Sequence, residues 1–201
     1  MTNLQILTYK ESEIKNGMIF EAKETSDKVA IMVDIETLST HRRAKIISIG
    51  AIAVNLNSYE ILGRFSVNID RNTPSHMRFL EDNETKIWWS TDNLEEARTC
   101  LEGDKQSIQD AIANFNLWLL KFEIDSFWSK GITFDGVILE NAFKQCKIDF
   151  PIMFWQLCCL RSLCSFDRLN IPRVGVAHCA LDDAIHETLQ LIEFKQKYID
   201  K

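Results

Sequence analysis

Three short clusters of acids and one histidine are the residues of this chain whose types and spacing could do chemistry. The first is Asp34-Ile-Glu36, at the exit of the apolar run Val29-Ala-Ile-Met-Val33. Strand side chains alternate, so residues two apart project from one face. Two carboxylates side by side at the end of a buried strand repel each other and lose hydration, which is costly without a cation to neutralise them. Hard oxygen donors of this kind suit magnesium or manganese. A pair of solvated acids at a strand end has the same sequence signature. The second is Asp135, within Gly131-Ile-Thr-Phe-Asp-Gly136, where a strand gives way to a helix. An Asp at such a junction also serves as a plain N-cap. The third is His178-Cys-Ala-Leu-Asp-Asp183, which opens the last helix. A histidine titrates near neutral pH and can take a proton from water, while acids in a first helical turn also complement the helix dipole.

In chain order these are D-x-E on the first apolar strand, F-D at a mid-chain helix and H-x4-D at the last helix. The pattern resembles the three motifs of the DEDDh class of the DnaQ-like 3′–5′ exonuclease superfamily, over about residues 29–198. Ile87-Trp-Trp-Ser90, Glu95-Glu-Ala97 and Ala177-His-Cys-Ala-Leu-Asp-Asp-Ala184 are similar to segments of the phage DexA exonucleases and the mycobacterial-type exoribonucleases. The resemblance implies a ribonuclease-H-like fold. It implies Asp34, Glu36, Asp135 and Asp183 as metal ligands, His178 as general base, and Thr37 and Leu38 as lining for the terminal nucleotide. It also implies two divalent cations, Mg2+ or Mn2+, and the 3′ end of a single-stranded nucleic acid as substrate. Phosphodiester hydrolysis agrees with that set, because two cations can make the nucleophile from water and stabilise both attacking and leaving oxygens. DNA is the favoured polymer; RNA or short oligoribonucleotides are the alternative, and a proofreading or binding subunit of a larger complex is a third reading. The chain departs from many relatives before Phe134, where Gly131-Ile-Thr stands in place of a polar Asn or His. Trp88-Trp89 reads either as core packing or as a stacking platform for a base, and His41-Arg-Arg-Ala-Lys45 either as a phosphate contact or as a solvated loop.

These residues need a particular scaffold. The run at residues 29–33 reads as a central buried strand, Ile46-Ile-Ser-Ile-Gly-Ala-Ile-Ala-Val54 as a second, and residues 60–69 as a third after the turn at residues 55–58. Short connections between them predict an antiparallel meander. Helical patterns follow at residues 93–101, 107–122 and 134–146, with strand candidates at 124–128 and 153–157, a short helix at 160–166 and a long one at 179–198. Strands first and then alternation with helices predict an α/β domain: a mixed sheet, a three-strand meander followed by parallel strands, flanked by helices. Residues 1–28 read as an N-terminal extension with a short strand or hairpin at residues 17–22, and residues 29–201 as one exonuclease domain.

At 201 residues, with 46% apolar and 26% charged side chains, the chain is ordinary globular material. No apolar run approaches the ~20 residues of a membrane span, and the N-terminus has no signal-peptide pattern. Six cysteines without a CxxC pair read as reduced core thiols, consistent with the cytoplasm. The net charge of −6 argues against a protein that coats nucleic acid and leaves open a nuclease gripping a few nucleotides.

Overall fold

The computed structural model describes residues 17–167, 169 and 171–200; residues 1–16 of the expected extension lie outside them. Six strands form one sheet in the order β1-β4-β3-β2-β5-β6. They are β1 (Met18–Ala22), β2 (Lys28–Thr37), β3 (Ile46–Val54), β4 (Ile61–Asn68), β5 (Glu123–Ser129) and β6 (Leu157–Cys159). The meander β2-β3-β4 is antiparallel, as expected, and β5 and β6 add in parallel on the other side of β2. β1 pairs with β4, so the sheet begins before residue 29.

The helices are α1 (Asn83–Trp89), α2 (Glu95–Thr99), α3 (Ile108–Leu119), α4 (Ile132–Gln145), α5 (Leu160–Cys164) and α6 (Ala180–Tyr198). β2 is apolar from Val29 to Val33 because both its faces are covered there. Val29, Ile31, Val33 and Ile35 enter the main core with Ile112 and Phe115 of α3 and Leu139 and Phe143 of α4. Ala30 and Met32 face the opposite way, onto Leu181, Ala184 and Ile185 of α6. The even-numbered face therefore looks at the last helix, and Asp34 and Glu36 belong to that face.

Three element readings change. The strand expected at residues 153–157 is a 3-10 turn, Phe154–Gln156, followed by β6. Gln156 decides this: its Oε1 accepts from the Met153 amide at 2.7 Å and its Nε2 donates to the Ile124 carbonyl at 2.6 Å. The segment expected as one helix at 93–101 splits into a 3-10 turn, Asp92–Leu94, and the short α2. α1 lacked a prediction; Asp82 caps it, accepting from the Thr85 amide at 2.7 Å. Among the described residues no helix is long and apolar enough to cross a membrane. All six cysteines carry free thiols.

Candidate active site

The site is built where the C-terminal end of β2 meets the first turn of α6. Asp34 lies opposite Gly50 of β3 in the sheet. A Cβ on Gly50 would fall 2.2 Å from the Ala180 carbonyl carbon and from the Leu181 amide nitrogen. Only glycine lets the start of α6 rest on the sheet there, and that close approach brings Asp183 to the even face of β2. Glu36, His178 and Asp183 each bring a ligand atom within 4.8 Å of the other two.

Asp135 arrives from the other side. Gly131, not Asp135, holds the N-cap position of α4. Asp135 sits one turn in, 5% exposed, and its carboxylate takes part in hydrogen bonding with the Ile35 backbone. Asp135 is therefore not the N-cap residue of α4.

Asp182 and Asp183 separate cleanly. Asp183 Oδ1 accepts from Arg173 Nη1 at 2.6 Å and its Oδ2 from the His178 amide at 2.7 Å. Asp182 turns to the preceding loop, where its Oδ2 accepts from the Val176 amide at 2.8 Å. His178 is exposed, with a left-handed φ of 63°, and its ring stands edge-on to Trp88 at 4.9 Å. The two tryptophans differ in exposure. Trp89 is 6% exposed, and its Nε1 donates to the Thr37 carbonyl at 2.9 Å. Trp88 is 39% exposed and lines a cavity of about 420 Å3 with Glu36, Thr37, Thr40, Thr85 and Phe134. Thr37 is on that cavity. The Leu38 side chain, next along the chain and so directed elsewhere, packs with Ile47 and Trp89 and lines a different cavity. In the loop after β2, Arg43 donates to the Arg78 carbonyl at 2.7 Å and Lys45 pairs with Glu81 at 3.3 Å, so both face their own fold.

Glu187 was not anticipated. It lies on α6 four residues after Asp183, hence on the same helix face, is 3% exposed, and its Oε2 accepts from the Lys130 amide at 3.2 Å. That spacing was the available signal. Burial first, and then the negative charges of Glu36, Glu187, Asp135 and Asp183, push the Asp34 carboxyl well above the usual range. Glu36 is raised in the same way, by burial and then by Asp183 and Asp135. Burial lifts Asp135 to about 6, against the hydrogen bonds that favour its anion. Glu187 is lifted to about 8 by burial, with Lys130 opposing and Asp135 and Asp183 adding. Arg173 is the one cationic side chain paired with any of these five acids among the described residues. Buried and half-buried carboxylates crowded together with so little positive charge fit a hard divalent cation.

A dependence of stability on pH follows. In the folded chain Asp34, Glu36, Asp135 and Glu187 hold protons that the unfolded chain has released. Their contribution is complete below about pH 4 and is lost as pH rises through about 6 for Asp135 and about 8 for Glu187. In chelator the melting midpoint should therefore fall by at least about 5 °C between mildly acid and mildly alkaline buffer, and manganese should restore it. Glu187→Gln keeps an acceptor for the Lys130 amide and should flatten the upper part of this curve. Scanning calorimetry checks both; a flat wild-type midpoint, or the wild-type slope in Glu187→Gln, would contradict the account.

The fold has solved counterparts. E. coli Exonuclease I in complex with a dT13 oligonucleotide matches with a TM-score of 0.62 at 14% identity, over 84% of this chain and 41% of that one. Cell-death related nuclease 4 (CRN-4) matches with a TM-score of 0.62 at 15% identity, over 88% of this chain and 66% of that one. A zinc-bound form of the E. coli Exonuclease I complex with single-stranded DNA matches with a TM-score of 0.64 at 13% identity, over 86% and 41%. The chain thus spans about two fifths of Exonuclease I. No curated protein is similar enough to count as a relative. At these identities the likeness defines the architecture, a ribonuclease-H-like sheet with flanking helices. The sequence supplies the rest: residues 29–193 match the 3′–5′ exoribonuclease Rv2179c-like domain, and the chain belongs to that family of 3′–5′ exonucleases.

Proposed function

We propose that the chain is a metal-dependent exonuclease of the DEDDh type that removes nucleoside 5′-monophosphates from the 3′ ends of single-stranded RNA. The observation that carries this reading is the meeting of Glu36, His178 and Asp183 within 4.8 Å, beside half-buried Asp34 of β2 and buried Asp135 of α4. Two divalent cations, Mg2+ or Mn2+, held by Asp34, Glu36, Asp135 and Asp183, would supply a nucleophile from water and charge on both oxygens of the displaced phosphodiester. His178 takes the proton of the attacking water, with its ring set by the edge contact to Trp88 and its amide anchored on Asp183. Trp88 and Phe134 offer apolar walls to the terminal base, and Thr37 and Thr40 polar groups to its sugar. The family description favours RNA over the DNA expected from sequence. DNA stays as a second reading, because Exonuclease I is solved with oligodeoxynucleotides across a shared fold.

Matched 5′-labelled RNA and DNA oligomers test the reading directly. RNA should shorten from its 3′ end as a descending ladder and faster than DNA; faster DNA turnover would install the second reading. On the better polymer, His178→Ala should lose about 10²–10⁴-fold in kcat, while calorimetry still detects manganese binding. A mutant that binds no manganese would make His178 a ligand and not the base.

A further inference from the structure

We propose that a second cavity, lined by Trp89 where the catalytic one is lined by Trp88, binds a free nucleoside 5′-monophosphate. It encloses about 310 Å3, at the lower end of the range of small-ligand pockets, about 300–1,000 Å3. That suits one nucleotide. Leu38, Ile47 and Trp89 form its apolar wall, and Arg71, Arg98 and Lys105 stand around them.

The charge there runs against the rest of the molecule. The chain carries −6 overall, yet this lining holds three cations and a single acid, Asp70. Asp70 Oδ1 is turned back onto its own loop, where it accepts from the Asn72 amide at 2.9 Å. Arg98 is already fixed in place. Its Nη1 donates to the Trp89 carbonyl at 2.8 Å and to the Thr91 carbonyl at 2.7 Å. Those bonds do not use the Nε and Nη2 donors of the guanidinium fork. A held guanidinium meets a phosphate with less ordering cost than a free one. Arg71 and Lys105 are exposed and add charge at the opening.

Trp89 is itself 6% exposed, so a planar base rests on the rim of this apolar wall by apolar contact and not by stacking on an open indole face. Trp89 also stands edge-on to Trp88 at 5.2 Å, and Trp88 edge-on to His178 at 4.9 Å. Successive indoles thus line two different cavities. The proposal rests on the exonuclease reading only in that such mononucleotides are what that reaction releases.

Calorimetric titration of the full chain with uridine 5′-monophosphate, in chelator and without any polymer, tests it. Chelator removes the cations from the catalytic cluster, so binding at this cavity should persist. Saturable binding is expected in the wild type and in Asp34→Ala. Arg71→Glu/Lys105→Glu, at two exposed positions, should weaken it at least tenfold while its melting midpoint stays near wild type. Inorganic phosphate alone should bind much more weakly, because it leaves the Trp89 wall untouched. The proposal is overturned by a wild type that binds nothing, by binding that survives the double charge reversal, by loss in Asp34→Ala, or by phosphate binding as tightly as the nucleotide. Failure of the exonuclease reading would appear in the oligomer assay, which shares no step with this titration.

Discussion

Chelation should abolish turnover, and Asp34→Ala or Asp135→Ala should reduce it to the same background, at least about a hundredfold below wild type. Each substitution removes one carboxylate from a cluster of buried and half-buried acids that repel one another. Asp34→Ala should also raise the melting midpoint in chelator. Removing an ionisable group from this setting relieves desolvation and like-charge repulsion together, and an alanine in place of Asp34 asks for no hydration. Activity and metal-free stability should thus move in opposite directions. An ordinary core lesion moves both downward, so the pair of measurements separates loss of a ligand from loss of structure. Full activity in chelator, or a dead Asp34→Ala whose metal-free midpoint collapses, would sink the ligand assignment.

Much of this arrangement is legible in sequence because one period governs it. Alternation along β2 places Asp34 and Glu36 on the face shared by Ala30 and Met32, and that face is the one α6 covers. The helix pattern of α6 likewise fixes where the strand end and the last helix meet. Other parts depend on contacts between distant segments, which no local period carries. Gly50 reads as one small residue in an apolar strand, and only the seating of Ala180 and Leu181 on it shows why a side chain is excluded. The break at Phe154 and Trp155 is set by a Gln156 side chain reaching β5 across thirty-two positions of chain, against the strand preference of the aromatics themselves. Arg98 and Lys105 come together with Leu38 only through the packing of α1 and α2, so their cavity has no signature in the linear pattern. Glu187 is the intermediate case: its spacing from Asp183 was visible, but a glutamate at the margin of an amphipathic helix ordinarily faces water.

Periodicity also leaves Asp182 and Asp183 on opposite margins of the apolar arc of α6, either able to reach the sheet end. The family spacing, with the ligand five residues after the histidine, selects Asp183. The contacts of each carboxylate now give the two substitutions different expected outcomes. Asp183→Asn should fall to near background. An amide is neutral where a metal ligand must be anionic, and its NH2 would face either the Arg173 guanidinium or the His178 amide, both donors. Asp182→Asn keeps a carbonyl oxygen for the Val176 amide, so the loop that carries His178 stays anchored and most turnover should remain. Asp182→Ala removes that acceptor and should cost more than the Asn variant, through the loop and not through the cations. Manganese titration distinguishes the routes: affinity should drop sharply in Asp183→Asn and stay near wild type in both Asp182 variants. Wild-type rates in Asp183→Asn, or manganese affinity lost in Asp182→Asn alone, would place the ligand one residue earlier and reverse the roles of the two aspartates.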